Sequence, residues 1–389
     1  MAREKTLPVR PADTCTGCGA CLRACAAGAL AMRRDGQGFA CPARDMRACT
    51  GCGACRKICP VESAQTRLWL AVFAARSLDE GIRGASSSGG AFTALAQGVL
   101  ARGGVVFGAA WADGDPAWAL AHAAAEDAAS LARLRGSKYL QSDAVPSYAQ
   151  VRDALRAGRS ALFSGTPCQV AGLYVWLGGD QPGLLTVDLV CHGTPSPTVF
   201  AAYLQGLEAA RGQRVTHYSF RDKRRGWQHF CAAARFAQGE DYVAGQDEDP
   251  YLRIFLQNVT LRPSCYACPY AGEKRPADIT LGDLWGAERL LPEWDDDRGL
   301  SLILVNTEKG RQAMADAAPA LWTQPVEARS FVRFNPCIER PVAPHPLRER
   351  FFRVFAKKGF DAAAQAALRS PGQARRLVAK IAARLRRLR

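Results

Sequence analysis

The sequence contains no long uninterrupted apolar segment and no apolar leader among its first residues. The longest uncharged runs lie near residues 84–101 and 160–179, and serine, glycine, threonine or proline interrupts both. A membrane-spanning helix needs about 20 mostly apolar residues, so neither run predicts one. The charged start of the chain does not resemble a secretory signal peptide either. We therefore expect a cytoplasmic protein.

Histidine is scarce and cysteine is abundant, with 5 histidines against 15 cysteines. Only His192 lies in a segment that predicts a site. The net charge of +15 is uneven, because much of the basic excess falls in residues 375–389. Basic residues elsewhere are dispersed and no nucleic-acid recognition motif is present, so we expect no nucleic-acid partner. Thiolates kept for metal binding indicate a reducing compartment.

Two cysteine motifs near the N-terminus share the pattern C-x2-C-x2-C-x3-C, and the heptapeptide Cys-Thr-Gly-Cys-Gly-Ala-Cys recurs 34 residues along. This spacing lets three thiolates bind one [4Fe-4S] cluster while the other motif supplies the fourth. Zinc has no use for a third cysteine two residues on in both motifs. Residues 1–66 therefore predict an α+β ferredoxin-like domain with two clusters. The predicted ligand sets are Cys15, Cys18, Cys21 and Cys59, and Cys49, Cys52, Cys55 and Cys25.

Four further cysteines predict a third metal site. Residues 160–163 and 184–190 read as strands around a helix that begins at Cys168, and a crossover of that length favours parallel pairing. Cys168 and Cys191 then follow two neighbouring strands, at the end where α/β sheets bind ligands. Cys265 and Cys268 add a C-x2-C pair. A third [4Fe-4S] cluster is the natural hypothesis, and zinc is the alternative. Cys41, Cys231 and Cys337 have no ligand spacing, and we interpret them as structural.

Several other segments have two interpretations. Residues 84–90 form a Ser/Gly loop before a helix, which suits a phosphate or a flavin edge or else a flexible linker. Lys138 could hold a phosphate or lie in solvent. The basic segment 219–227 could clamp an acidic ligand or form a solvated hairpin. Residues 67–83 predict a helix that leads out of the cluster domain.

The C-terminal residues 346–389 predict a helical basic tail. Four apolar residues repeat at helical spacing against a basic face: Leu377, Ile381, Leu385 and Leu388. Such a helix could contact an anionic membrane or an acidic partner, or simply end a soluble fold.

The central chain resembles the beta-subunit family of coenzyme F420 hydrogenases and dehydrogenases, and the N-terminal motifs resemble two-cluster ferredoxins. The matching motifs are Ser-Ser-Ser-Gly-Gly at 86–90, Leu-Arg-Gly-Ser-Lys-Tyr at 134–139, Phe-Ser-Gly-Thr-Pro-Cys-Gln at 163–169, Asp-Leu-Val-Cys-His-Gly at 188–193, Phe-Arg-Asp-Lys at 220–223 and Thr-Leu-Gly-Asp-Leu-Trp-Gly at 280–286. The resemblance implies an α/β flavoprotein-like core over residues 67–345, with FAD beside an iron–sulfur cluster. Its cluster ligands would be the four cysteines of the third set.

The resemblance gives no catalytic residues, and we assign the FAD site to loops rich in small and hydroxyl side chains. These residues are Ser87, Ser88, Gly89, Gly90, Gly136, Ser137, Lys138, Tyr139, Ser164, Gly165 and Thr166.

The leading hypothesis is an iron–sulfur flavoprotein oxidoreductase that passes electrons between its clusters and an organic two-electron substrate, F420 or another small molecule. Its expected partners are a redox protein such as ferredoxin, or a hydrogenase or dehydrogenase subunit. The alternative is an electron-transfer subunit with no substrate site of its own. A zinc-stabilised interaction module is a third hypothesis.

Overall fold

The computed structural model describes residues 6–63, 65–112 and 118–368. Within these residues, fourteen strands form three sheets. The strands are β1 (Thr6–Pro8), β2 (Leu30–Arg34), β3 (Ala40–Asp45), β4 (Ala71–Ser77), β5 (Val105–Trp111), β6 (Leu120–Ala125), β7 (Ala161–Ser164), β8 (Leu184–Leu189), β9 (Val215–Asp222), β10 (Cys231–Phe236), β11 (Tyr242–Gly245), β12 (Ile279–Asp283), β13 (Ser301–Val305) and β14 (Leu321–Pro325).

The α-helices connect and cover these sheets. They are α1 (Ala54–Lys57), α2 (Pro60–Ser63), α3 (Glu80–Gly84), α4 (Ala91–Leu100), α5 (Ala128–Leu134), α6 (Val145–Arg156), α7 (Pro167–Leu177), α8 (Pro197–Arg211), α9 (Pro250–Leu256), α10 (Ala287–Leu290), α11 (Glu308–Ala317), α12 (Ala328–Val332) and α13 (Arg348–Leu368). Among the described residues, no helix is both apolar enough and long enough to cross a bilayer.

The largest sheet has eight strands in the order β14-β4-β13-β12-β8-β7-β5-β6. Its centre is parallel, because β12 pairs with β8, β8 with β7 and β7 with β5 in that sense. The outer pairs are antiparallel. The predicted strand–helix–strand unit is confirmed as β7–α7–β8. The chain is therefore a mixed α/β protein built on a large mixed sheet.

The predicted helix over residues 67–83 is wrong. Residues Ala71–Ser77 form β4, which pairs with β13 on one side and β14 on the other. Only the end of the segment is helical, as α3, where the Asp79 side chain accepts a hydrogen bond from the Ile82 N–H. Alanine favours a helix by only a few tenths of a kcal/mol per residue, and pairing on both edges of a buried strand outweighs that preference.

A second sheet, in the order β11-β10-β9, carries an aromatic core with α8, α9 and α13. Phe200 packs against Tyr218 and Tyr251 there with ring centroids 5.1 and 5.0 Å apart. Helix α13 confirms the first part of the predicted C-terminal helix and breaks at Gly359, whose φ is 75°. The basic stripe from Leu377 to Leu388 lies outside the described residues.

The N-terminal unit contains a three-stranded antiparallel sheet, β1-β3-β2, in which β2 and β3 form a hairpin that turns at Asp35 and Gly36. The Asp35 carboxylate accepts hydrogen bonds from the N–H groups of Gln37 and Phe39. The unit is anchored to the rest of the chain, because the Arg348 guanidinium donates to the Gln37 side chain at 2.6 Å and Phe39 is fully buried. The domain limits at residues 66 and 345 remain predictions.

Candidate functional site

A cavity of about 740 Å³ lies at the carboxyl ends of the central parallel strands. The segments that follow β7, β8 and β12 all contribute to its wall, as do residues of β5 and of the loop before α4. Ligands bind at this edge of open α/β sheets because the loops that follow parallel strands diverge there. The volume is in the range of cofactor and small-molecule sites.

All the residues predicted to hold FAD line this cavity except Gly89. Gly89 instead packs against β4 and β13, where an added Cβ would lie 2.7 Å from the Ser301 backbone nitrogen. The Ser87 hydroxyl accepts a hydrogen bond from the Ser137 N–H at 2.6 Å. The two Ser/Gly loops, which are 50 residues apart in sequence, therefore form one continuous wall.

Lys138 serves neither of the two roles that the sequence suggested. Its ammonium donates to the carbonyl oxygens of Leu134, Arg135 and Gly136 at 3.3, 2.8 and 3.2 Å. Burial lowers the pKa of Lys138 to about 8. Since an ammonium has three donors, the lysine is committed to closing the C-terminal end of α5.

The basic segment 219–227 contributes one residue, Arg221, to the cavity wall, whereas Arg224 and Arg225 are exposed. The Arg221 guanidinium is buried and donates to the Asp283 carboxylate at 3.0 Å, to the Tyr139 hydroxyl and to the Ser87 carbonyl. Burial opposes the charge, but Asp283 holds the pKa of Arg221 above its usual value. Lys223 donates to the carbonyls of Arg83, Ser88 and Arg298. These cations hold the Ser/Gly loop in place.

Two stacked indoles form a flat part of the cavity region. Trp285 lines the cavity and stacks on the fully buried Trp227 with centroids 4.7 Å apart and planes 7° apart. The Arg221 guanidinium lies 5.1 Å from the Trp285 ring centroid. A rigid aromatic surface of this kind suits contact with a planar ring system.

His122 is a cavity residue that sequence reasoning missed. Its Nε2 lies 2.9 Å from the Ser164 carbonyl oxygen, so Nε2 carries the proton and Nδ1 is an acceptor. Nδ1 is buried and has no hydrogen-bond partner within the described residues. Burial lowers the pKa of His122 to about 4, which keeps the ring neutral. His229 also lines the cavity, as does the expected His192.

The four cysteines of the third predicted set come together beside this cavity. Cys168 lies in the first turn of α7, Cys191 follows β8, and Cys265 and Cys268 lie in and just after the short helix Pro263–Ala267. Every pair among the four interacts electrostatically. Among the described residues no cluster of cysteine, histidine or carboxylate side chains is tight enough for a single metal ion.

The electrostatics of this set keep the thiols neutral unless a positive centre lies among them. Burial, followed by the charge of Cys268, raises the pKa of Cys168 to about 12. Burial also raises the pKa of Cys265 to about 11, and it raises the pKa of Cys191 well above its usual value. Four buried thiolates repel one another, so their shared ionisation requires a positive centre such as iron among them. Cys191 is the member of the set that lines the cavity.

The first N-terminal set is also brought together. Cys15, Cys18, Cys21 and Cys59 line one small recess, and Cys55, which the sequence assigns to the other set, lines it too. The second copy of the heptapeptide has a different environment. Cys15, Cys18 and Cys21 are buried, whereas Cys49 and Cys55 are half-buried and Cys52 is exposed. The first motif is therefore the inner one and the second motif the outer one.

The inner motif adjoins the third set of cysteines. The Tyr148 hydroxyl lies 3.1 Å from the carbonyl oxygens of both Cys18 and Gln169, and Gln169 follows Cys168 in α7. Cys168 and Cys18 interact electrostatically. The cysteines thus follow one another from the surface, through the inner motif, to the cavity.

The three cysteines without ligand spacing are half-buried or buried. Cys41 is half-buried, and the Arg262 guanidinium donates to its sulfur at 3.3 Å and to the Cys15 carbonyl at 3.2 Å. Cys231 and Cys337 are buried. Both side chains pack in the interior.

Two family models described as the N-terminal and C-terminal parts of the coenzyme F420 hydrogenase/dehydrogenase beta subunit match residues 72–147 and 158–329. A third, described as a 4Fe-4S dicluster domain, matches residues 14–63. No curated protein matches the chain. Among solved structures, a chain of the F420-reducing [NiFe] hydrogenase complex from Methanosarcina barkeri is similar, with 20% identity over 77% of this chain and 91% of that one and a TM-score of 0.47.

Proposed function

Because the chain belongs to the coenzyme F420 hydrogenase/dehydrogenase beta-subunit family and carries a 4Fe-4S dicluster domain, we propose that it is an FAD- and iron–sulfur-dependent oxidoreductase. It would pass electrons between [4Fe-4S] clusters and an organic two-electron substrate, F420 or another small molecule. Its redox partner would be a protein such as ferredoxin or a subunit of a hydrogenase or dehydrogenase.

The observation that carries this proposal is the serial order of the cysteine sets. The outer motif reaches the surface through Cys52, the inner motif contacts α7 near Cys168, and Cys191 lines the cavity. A protein that only bound a ligand at this sheet edge would not need cysteine sets that lead from the surface to the cavity.

Four groups of residues would hold the cofactors. The two N-terminal sets would each hold one [4Fe-4S] cluster, and Cys168, Cys191, Cys265 and Cys268 would hold a third. The Ser/Gly loops at 87–90 and 136–139, with Ser164, Gly165 and Thr166, would hold FAD. Clusters supply one-electron chemistry, and a flavin links it to two-electron chemistry.

The protein's own residues shape the ring site. Trp285 and the Arg221–Asp283 pair give it a rigid wall. The unpaired His122 Nδ1 would accept a hydrogen bond from an N–H of a bound ring. Since the pKa of His122 is about 4, this acceptor stays available throughout the neutral range.

Cofactor content tests the proposal directly. We expect anaerobically reconstituted protein to contain about twelve irons and one flavin, from three four-iron clusters. Eight irons without flavin would refute it, and zinc at the third set would favour a zinc-stabilised module. An anaerobic screen of reduced F420, reduced ferredoxin and reduced nicotinamides for bleaching of the bound flavin would identify the electron donor. Flavin-containing protein that turns over no small molecule would favour an electron-transfer subunit.

A further inference from the structure

Tyr270 carries a buried hydroxyl group without a visible role in the fold. Its side chain is 1% exposed, and the hydroxyl oxygen has no hydrogen-bond partner in the part of the chain that the structure describes. A buried hydroxyl group without a partner costs free energy, so its presence calls for an acceptor. The nearby tyrosine of helix α7 differs, because the Tyr174 hydroxyl lies 2.7 Å from the Thr186 hydroxyl.

The surroundings of Tyr270 identify the chemistry of that acceptor. The tyrosine interacts electrostatically with Cys168 and Cys268 of the third set, and with Cys18 and Cys59 of the inner motif. Among these thiols, the strongest interaction is with Cys168. Tyr270 is therefore close to both sets of cysteines, and Cys168 is the thiol with which it interacts most strongly.

The hydroxyl can act there only as a donor. The ordinary pKa of a tyrosine is about 10, so the proton stays on the oxygen at neutral pH. A neutral phenol offers one O–H donor, and anionic sulfur is a hydrogen-bond acceptor.

The backbone of Tyr270 is held by Arg275, which also pairs with the strand that precedes Cys191. Its carbonyl accepts a hydrogen bond from the Arg275 guanidinium at 2.9 Å. Arg275 is 1% exposed and forms an ion pair of 3.1 Å with Asp188 on β8, the strand that leads to Cys191. The Tyr270 N–H is directed to the Cys268 sulfur. The Tyr270 backbone is thus fixed relative to Cys268 and to β8.

We propose that the Tyr270 hydroxyl donates a hydrogen bond to an anionic sulfur at the Cys168 corner of the third cluster and raises the reduction potential of that cluster. This inference rests on the proposed function, because it requires the third set to hold iron. Reduction adds negative charge to a cluster, and a fixed donor stabilises that charge. Tyr270 is a positioning residue that sets where an electron resides between the inner motif and the cavity.

Redox titration of the reconstituted protein, followed by electron paramagnetic resonance, tests the inference. Tyr270→Phe removes the hydroxyl and keeps the ring, so we expect unchanged iron content and a lower midpoint potential for the third cluster alone. Tyr174→Phe is the matched control, because its hydroxyl pairs with Thr186, and it should shift no potential. An unshifted third cluster in Tyr270→Phe, or a shift confined to the N-terminal clusters, would overturn the inference.

A second variant covers the case in which Tyr270→Phe does not retain its third cluster. Replacement of Tyr270 by 3-fluorotyrosine keeps the hydroxyl and makes it a stronger donor, so the same potential should rise. A fall or no change contradicts the inference. Wild-type protein with eight irons would instead refute the proposed function, and the two failures are therefore distinguishable.

Discussion

Gly172 of α7 lies against Cys18 of the inner motif. A Cβ atom added to Gly172 would meet the Cys18 Cβ at 3.0 Å, its Sγ at 3.3 Å and the Tyr148 hydroxyl at 2.9 Å. Because α7 begins beside Cys168, the missing side chain determines how closely the inner motif approaches the third set.

Gly172→Ala should separate these two sets of cysteines. Overpacking of this kind costs about 1–3 kcal/mol, and relief requires the N-terminal unit to move away from α7. We expect lower stability to urea and slower reduction of the bound flavin by electrons that enter at the N-terminal unit. Gly206→Ala in α8 is the control, because an added Cβ there meets nothing within 4 Å. Equal flavin-reduction rates in Gly172→Ala and the control would contradict this prediction.

The repeated heptapeptide provides a matched pair of glycines. Gly17 and Gly51 have φ values of 71° and 73°, so alanine is strained similarly at both. At Gly17 the added Cβ would also lie 2.5 Å from the Ala40 carbonyl oxygen, whereas at Gly51 nothing lies within 4 Å. We expect Gly17→Ala to lose at least about 1 kcal/mol more stability than Gly51→Ala. Urea unfolding with iron analysis measures the difference. Equal losses of stability in the two variants would show that backbone strain, and not the contact with Ala40, destabilises both.

The Arg221–Asp283 pair should be important for both stability and flavin binding. The two side chains are 3% and 20% exposed, and removal of one partner leaves a charge in a largely dry wall. We expect Arg221→Met to lose about 3 kcal/mol of stability and to bind flavin more weakly. Arg225→Met breaks an exposed pair with Glu248 and should lose less than about 1 kcal/mol. Denaturant unfolding and flavin fluorescence titration measure the two effects.

His122 predicts a pH dependence of stability. Its folded-state pKa of about 4 is below the unfolded value, so protons favour the unfolded chain as the pH falls below about 6.5. This contribution is complete above pH 6.5 and is lost as the pH falls toward 4. Between pH 7.5 and 5.5, wild type should lose about 1 kcal/mol more stability than His122→Gln. Urea unfolding at both pH values measures the loss for each protein, and equal losses in wild type and His122→Gln would refute this prediction.

Local chemistry made some of these features predictable from sequence. The cysteine spacings predict ligand sets that remain predictions, and a strand, a helix and a second strand of suitable length placed Cys168 and Cys191 at the ends of two paired strands. The antiparallel hairpin at Asp35 follows from its turn dipeptide. These predictions depend on residues close together in the chain.

The remaining features depend on distant partners. The acceptor of His122 is 42 residues away and that of Arg221 is 62 residues away, and neither sequence segment signals the other. Strand β4 was mistaken for a helix because its neighbours β13 and β14 come more than 200 residues later. Lys138 was read as a solvent or phosphate residue because its three acceptors exist only once α5 has ended in the observed turn.

The exposure of Cys52 determines where oxygen or a chelator would first attack the predicted clusters. Oxygen or a chelator that arrives from solvent meets this sulfur before any other ligand of the predicted clusters, while the walls of the inner recess shield its twin, Cys18. Damage should therefore proceed from the rim toward the interior. A protein aged in air would lose its contact with outside electron donors before it lost the chemistry of its cavity.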